Sequence, residues 1–293
     1  MIEQIAGATA LVVLQVLYSI ASIFIVSIGL AVAFGMMRVI NFAHGEFLML
    51  GGFAMIFAVR FGVNFWLAMF VVAPLAVGLF GVLVERIIIR PLYGRMLDTI
   101  LATWGLSLSL IGLASIGIGY GQRSAGQPLG SITIAGEGVS LYNLFMIGVA
   151  LAMALLLYLV MLKTRFGLLC RGTMQDPEMA AAVGVNLSRI YAVTFAISAA
   201  LAGFAGAVMA PLTGVVPTSG LTYINQSFIT VITGGANAIT GTLLASGLFG
   251  SIVQVATIFY TPVIGQVMML IAGVILLRVM PRGITGRIFR KSI

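Results

Sequence analysis

Charge is what this chain has least of. Only 8% of its 293 residues are Asp, Glu, Lys or Arg, where an average soluble domain carries roughly 25%. So few charges cannot cover a water-facing surface, which excludes a soluble globular enzyme. A single cysteine, Cys170, excludes an internal disulfide framework and suggests no redox role. The one histidine, His44, has one glutamate nearby, too few ligands for a metal site. Lysine occurs only at Lys163 and Lys291, and neither stands in a G-x-x-x-x-G-K-[ST] loop that would cradle nucleotide phosphates. No cleavable leader is expected: Glu3 is the only charge before Arg38, where a leader wants a positive start, so the first apolar segment is expected to be retained.

What is present is apolar surface and glycine. Hydrophobic residues make up 61% of the chain. Its 36 glycines are about 12% of the total, against a usual share of about 7%. Membrane helices use glycine for close approach and for breaks. The expected class is an all-α polytopic membrane protein.

Charges then serve as a ruler, since one span needs about 20 apolar residues. Uncharged windows run over 4–37, 61–84, 99–122 and 138–162, and the last, 190–277, holds 88 residues, enough for about four spans. A further apolar stretch, Asn41 to Val59, is just long enough to cross. The expectation is nine transmembrane helices, or eight with one re-entrant segment. The net charge of +8 resolves the same way. Placing the loops 85–98 and 163–189 and the tail from Arg278 on the inner side collects three, four and five basic residues. Arg38 joins them, and only Arg60 and Arg123 fall outside. This positive-inside bias predicts an outside N-terminus and a cytoplasmic C-terminus, and it removes any need for a nucleic-acid partner. The longest external segment, 123–140, reads as a loop with a short strand or turn.

Polar groups at membrane depth stand out. Asn41, His44, Gly45 and Glu46 head an apolar run, and ionisable groups there are costly and usually turned toward a cavity or bundle interior. The alternative is capping: Asn41 or His44 would satisfy orphan amides, with Glu46 favoured in the first helical turn. A second break, Ile232 to Thr242, carries Gly234, Gly235 and Asn237 just before another apolar helix. Two Gly-interrupted segments in a weak internal repeat point to a transport site; packing through small residues is the competing account. No constellation for acid–base catalysis accompanies His44.

The loop 163–189 contains Asp176-Pro177-Glu178, then Met-Ala-Ala-Ala-Val and Gly184. Asp176 suits an N-cap, Pro177 the first helical position and Gly184 the stop. The spacing predicts a two-turn helix bearing small alanines such as Ala181. It is either a docking element or a plain surface loop.

NFAHGEFLMLGGF (41–53) and the run from Thr164 to Pro211 resemble the permease subunits of branched-chain amino acid ABC importers. The Gly234-Gly235…Gly241-Thr242 break and Met280-Pro281-Arg282-Gly283 also fit. The resemblance covers essentially the whole chain and is closer to the H-type than the M-type partner. It implies one transmembrane permease domain over 1–293 in a bacterial inner membrane, paired with a second homologous permease subunit, usually as a heterodimer. Two cytoplasmic ATP-binding subunits would bind and hydrolyse ATP, and a periplasmic binding protein would deliver solute, so this chain needs no cofactor of its own. Asp176, Pro177, Glu178, Ala181 and Gly184 would form the coupling helix. Asn41, His44, Gly45, Glu46, Gly234, Gly235 and Asn237 would line or shape the passage. One departure matters: the second break is more polar than the usual amino acid pattern. Asn237 and Gly241-Thr242 leave open an importer of urea or short-chain amides from the same family. A self-sufficient secondary transporter or channel is the remaining alternative class.

Overall fold

The computed structural model describes residues 2–37, 39–134, 136–235 and 237–288. Arg38 and the basic tail from 289, used above for orientation, lie outside the described residues, as does Ala236 in the second break.

The chain opens with one long helix, α1 (Ile2–Met37). A non-helical break leads into α2 (His44–Arg60). Next comes the span Phe65–Leu92, assembled from α3 (Phe65–Leu67), a π-turn at Ala68–Val72, α4 (Ala73–Val84), a second π-turn at Glu85–Ile89 and a 3₁₀ turn at Arg90–Leu92. Helix α5 (Met96–Ile118) precedes a hairpin of β1 (Ser131–Ile134) and β2 (Glu137–Ser140), antiparallel with Ser131 opposite Ser140. Then follow α6 (Leu141–Lys163), α7 (Arg165–Gln175), α8 (Pro177–Ala182) and α9 (Leu187–Thr213). The chain continues with α10 (Ser219–Gly234), α11 (Ala238–Phe259), α12 (Pro262–Val279) and α13 (Gly283–Ile288).

Many helix starts are written locally. Asn64, Thr164, Asp176, Asn186, Asn237 and Thr261 each present a side-chain oxygen to an orphan amide of the helix that follows. Each such cap stabilises by about 1 kcal/mol.

Among the described residues, seven helices are long and apolar enough to cross a membrane. The expected count of eight to nine included two more, α2 with 17 residues and α10 with 16. At about 1.5 Å per residue each reaches only about 25 Å, short of the roughly 30 Å hydrocarbon core. Both are cut short by a break: α2 starts after 39–43, and α10 lies between the turn at 214–218 and Gly235. The 190–277 window does contain four helices, α9 to α12.

Internal packing divides the chain into two compact units. One comprises 26–126 and 156–228. Its centre is α9, whose small residues let α2 and α4 come close. A methyl group on Gly206 would overlap the Leu48 backbone, and one on Gly51 would overlap Gly203. The other comprises 1–25, 127–155 and 229–293. Its core gathers Ile23, Ala245, Phe249 and Met269, with Gly250 against the backbone of Ile20.

Candidate functional site

The first break is built around its own polar atoms. Asn41 is buried, and its Oδ1 accepts the Ala43 amide at 3.0 Å. Its carbonyl accepts the His44 amide at 3.2 Å. Asn41 thus closes a tight turn just ahead of α2 rather than capping it: the N-cap position is Ala43, and no side chain accepts the first helical amides. The His44 ring turns instead to α1, with Nε2 3.1 Å from the Val26 carbonyl. A carbonyl can only accept, so Nε2 carries the proton and Nδ1 presents a bare lone pair. The Ser227 hydroxyl of α10 donates to the same carbonyl at 3.1 Å.

Glu46, one turn into α2, is fully buried, and neither carboxylate oxygen has a hydrogen-bond partner among the described residues. The His44 Nδ1 and Ser27 Oγ atoms share that condition. Two features make the place tolerable for a carboxylate. Glu46 stands in the first turn of α2, and its Oε1 lies over Gly220, at the start of α10. Helix N-termini carry partial positive charge, worth about 0.3–1 kcal/mol each and up to ~2 kcal/mol when partly buried. The Ser107 hydroxyl of α5 also lies within interacting reach of the carboxylate. Buried carboxylates without partners are rare because desolvation costs several kcal/mol.

Sequence reading missed the α5 side of this site. Thr99, Thr103 and Ser107 recur every fourth residue and are all buried. Thr103 pins the break: its Oγ1 accepts the Phe42 amide at 3.2 Å and donates to the Thr99 carbonyl at 2.8 Å. The signal was a hydroxyl every helical turn on an otherwise apolar helix. Below it, a cavity of about 280 Å³ is lined by Met37, Val39, Ile40, Tyr93, Arg95 and Thr99 among others. Glu85, expected to open a loop, is instead fully buried, and its Oε1 accepts the Tyr93 hydroxyl at 2.5 Å. Burial and that hydrogen bond push the Tyr93 phenol well above its ordinary range.

The second break belongs to the other unit. Gly235 adopts φ +86°, a conformation open mainly to glycine. Thr285 of α13 donates to the Gly234 carbonyl at 2.7 Å and accepts the Asn237 amide at 3.2 Å. Asn237 is exposed, and its Oδ1 takes the Thr240 amide at 3.4 Å to cap α11. Gly234 rests on the Gly241 backbone, with a Cβ on Gly234 only 2.6 Å from the Gly241 carbonyl carbon. The four expected residues at the first break thus share one buried neighbourhood. Gly234, Gly235 and Asn237 form a separate, hydrogen-bonded knot.

At the third expected site, α8 starts as its sequence predicts. Asp176 accepts the Met179 amide at 3.0 Å, Pro177 opens the helix and Gly184 turns at φ +92°. Glu178 and Ala181 are exposed on it. Helix α7, not anticipated, precedes it; Leu168 on α7 and Met179 and Val183 in the following segment are exposed.

Comparison with known proteins adds the family. The family model described as branched-chain amino acid transport system / permease component matches residues 12–280. The high-affinity branched-chain amino acid transport system permease protein LivH of Salmonella typhimurium is 27% identical over 281 residues, covering 90% of this chain and 91% of the relative. BraD of Pseudomonas aeruginosa, a permease protein of the same description, is 28% identical over 283 residues, with the same coverage. A probable branched-chain amino acid transport permease protein LivH of Methanocaldococcus jannaschii is 26% identical over 283 residues. Among solved structures, a chain of PsaBC from Streptococcus pneumoniae in complex with Fab matches with TM-score 0.54 and 14% identity, covering 94% of this chain and 95% of that one. That last likeness is one of fold.

Proposed function

The chain belongs to the family of branched-chain amino acid transport system permease components, and we infer that it is the membrane-spanning subunit of an ABC importer for branched-chain amino acids. It is a transport component rather than an enzyme in itself, and a multi-pass membrane protein. The observation that carries the reading to particular residues is the break at 39–43, where fully buried His44 and Glu46 keep polar atoms unpartnered. Asn41, His44, Gly45 and Glu46 line or shape the passage. The knot at Gly234, Gly235 and Asn237 shapes its helices.

The rest of the machine is other chains. A second homologous permease subunit pairs with this one. Two cytoplasmic ATP-binding subunits bind and hydrolyse ATP, and a periplasmic binding protein releases solute to the pair. The absence of a P-loop lysine supports this division. Helix α8, with Asp176, Pro177, Glu178, Ala181 and Gly184, faces the ATPase. The basic residues Arg86, Arg90 and Arg95 at the end of one span, and those of 163–189, support a cytoplasmic position for that side and for the C-terminus.

The polar second break raised a urea or amide importer as the other reading. Its two distinguishing features have structural tasks: Asn237 caps α11, and the Thr242 hydroxyl donates to the Ala238 carbonyl at 2.5 Å. That favours the amino acid reading.

The test is uptake of labelled leucine by vesicles containing both permeases, both ATPases and the binding protein. Uptake should need ATP and should fall at least about tenfold, roughly 1.4 kcal/mol of barrier, in His44→Ala and Glu46→Ala. Unchanged uptake in both variants would remove these residues from the passage. Uptake by this chain alone, without ATPases, would favour a secondary transporter.

A further inference from the structure

Three observations in one unit of the chain line up. Glu46 is a fully buried carboxylate without a hydrogen-bond partner. The cavity of about 280 Å³ lies at the other end of the break, against Met37, Val39 and Ile40. Between them runs α5, which offers Ser107 to Glu46, Thr103 to the break itself and Thr99 to the cavity wall. Residues four apart share a helix face, so these hydroxyls mark about 12 Å of one buried edge. Leu101 and Leu108, on the far side of the same helix, are exposed, which leaves them to lipid or a neighbouring subunit.

We propose that the Thr99–Thr103–Ser107 edge of α5 is the wall of the solute passage, leading from the Glu46 carboxylate to the cavity beside Arg95. The solute class that fits is a small zwitterion with an apolar side chain. Its ammonium group meets the buried Glu46 carboxylate, which the Ser107 hydroxyl approaches from α5, and its polar end then follows the hydroxyls. Its side chain faces the apolar wall of Met37, Val39 and Ile40. Thr103 stands between the two ends of the track, its hydroxyl stapling the Phe42 amide of the break to the Thr99 carbonyl of α5. The track passes only when that staple opens. The inference rests on the transport reading above and deepens it by naming the wall and the charged end of the cargo.

The single buried cysteine makes the test clean. In a Cys170→Ser background that keeps normal uptake, Thr99→Cys, Thr103→Cys and Ser107→Cys are each reacted with a charged methanethiosulfonate reagent. Leu101→Cys and Leu108→Cys serve as controls. The complete importer is held in nanodiscs, with and without leucine-loaded binding protein and ATP. The track positions should react, and turnover with leucine should slow them several-fold, while the controls show no leucine effect. Adding Glu46→Gln, which keeps the shape but not the charge, should abolish the protection at Ser107→Cys and leave the Thr99→Cys rate unchanged. If one of the three variants fails to assemble, the other two still decide. Absence of protection at the track positions, or equal protection at Leu101→Cys and Leu108→Cys, overturns the passage assignment. If the unmodified importer takes up no leucine at all, the transport reading fails instead, and the two failures are told apart by that measurement.

Discussion

Gly45 and Gly220 meet backbone to backbone. A methyl group on Gly45 would overlap the Gly220 carbonyl, and one on Gly220 would stand 2.8 Å from both the Gly45 carbonyl carbon and Glu46 Oε1. The start of α2 therefore sits against the start of α10 with no side chain between, and the carboxylate is wedged at their junction. Neither helix can yield by rotating a rotamer, since the obstacle is main chain. Gly45→Ala and Gly220→Ala should each destabilise by about 1–3 kcal/mol, the range for overpacking. Gly247→Ala, with nothing near its added methyl, should stay within about 0.5 kcal/mol. Thermal melting of the purified subunit ranks the three; equal midpoints would contradict the contact.

Thr285 holds the second break together through one oxygen. Thr285→Val keeps the shape and strands the Gly234 carbonyl and the Asn237 amide. The expected loss is about 1–3 kcal/mol, seen as faster hydrogen exchange at the Asn237 amide. Thr285→Ser should restore protection. If Val and Ser variants exchange alike, the hydroxyl is not the tie.

The half-buried Tyr93 and its fully buried partner Glu85 make a pH prediction. Because the phenol is held above its ordinary value, near 10, its proton and the bond it donates are present at every pH below that value. The contribution is lost only as pH rises through the higher, folded-state value. Stability from this pair should therefore be flat across neutral pH. Tyr93→Phe should cost about 1–3 kcal/mol by leaving both Glu85 oxygens unbonded. Melting curves of the two forms at several neutral pH values should run parallel; convergence of the curves would argue against the bond.

Helix α8 is short enough to depend on its ends. Asp176→Ala removes the cap on Met179, at a cost of about 1 kcal/mol. Ala at Gly184 must adopt φ +92°, at roughly 1–2 kcal/mol. Both changes, and a bulky charge at exposed Ala181, should lower ATPase stimulation by solute-loaded binding protein while solute-free ATPase activity stays put. Equal stimulation in all three would detach α8 from coupling.

What was legible beforehand was local. The helix start at Asp176-Pro177 could be read because the cap's partner, the Met179 amide, lies three residues away. The count of spans was less secure, because α2 and α10 are ended by breaks rather than by charge. Glu85 misled as a loop marker: its partner, Tyr93, comes into place only through the second π-turn and the bend after it. The second break reads in sequence like the first, yet Thr285, 48 residues beyond Asn237, turns it into a closed knot. The Thr99, Thr103 and Ser107 edge was written openly in the spacing. Its meaning needed Glu46 and the cavity to be seen beside it.

The two π-turns in the span Phe65–Leu92 have an evolutionary consequence. Each winds one extra residue into a turn, so the faces before Ala68 and after Val72 are in register only because of it. A relative lacking one residue within Ala68–Val72 can close an ordinary α-turn and still aim Val77 and Gly81 at α9. The same deletion inside Ala73–Val84 rotates every later side chain by about 100°. Length changes in this span should therefore be tolerated where the helix is already overfilled and selected against elsewhere.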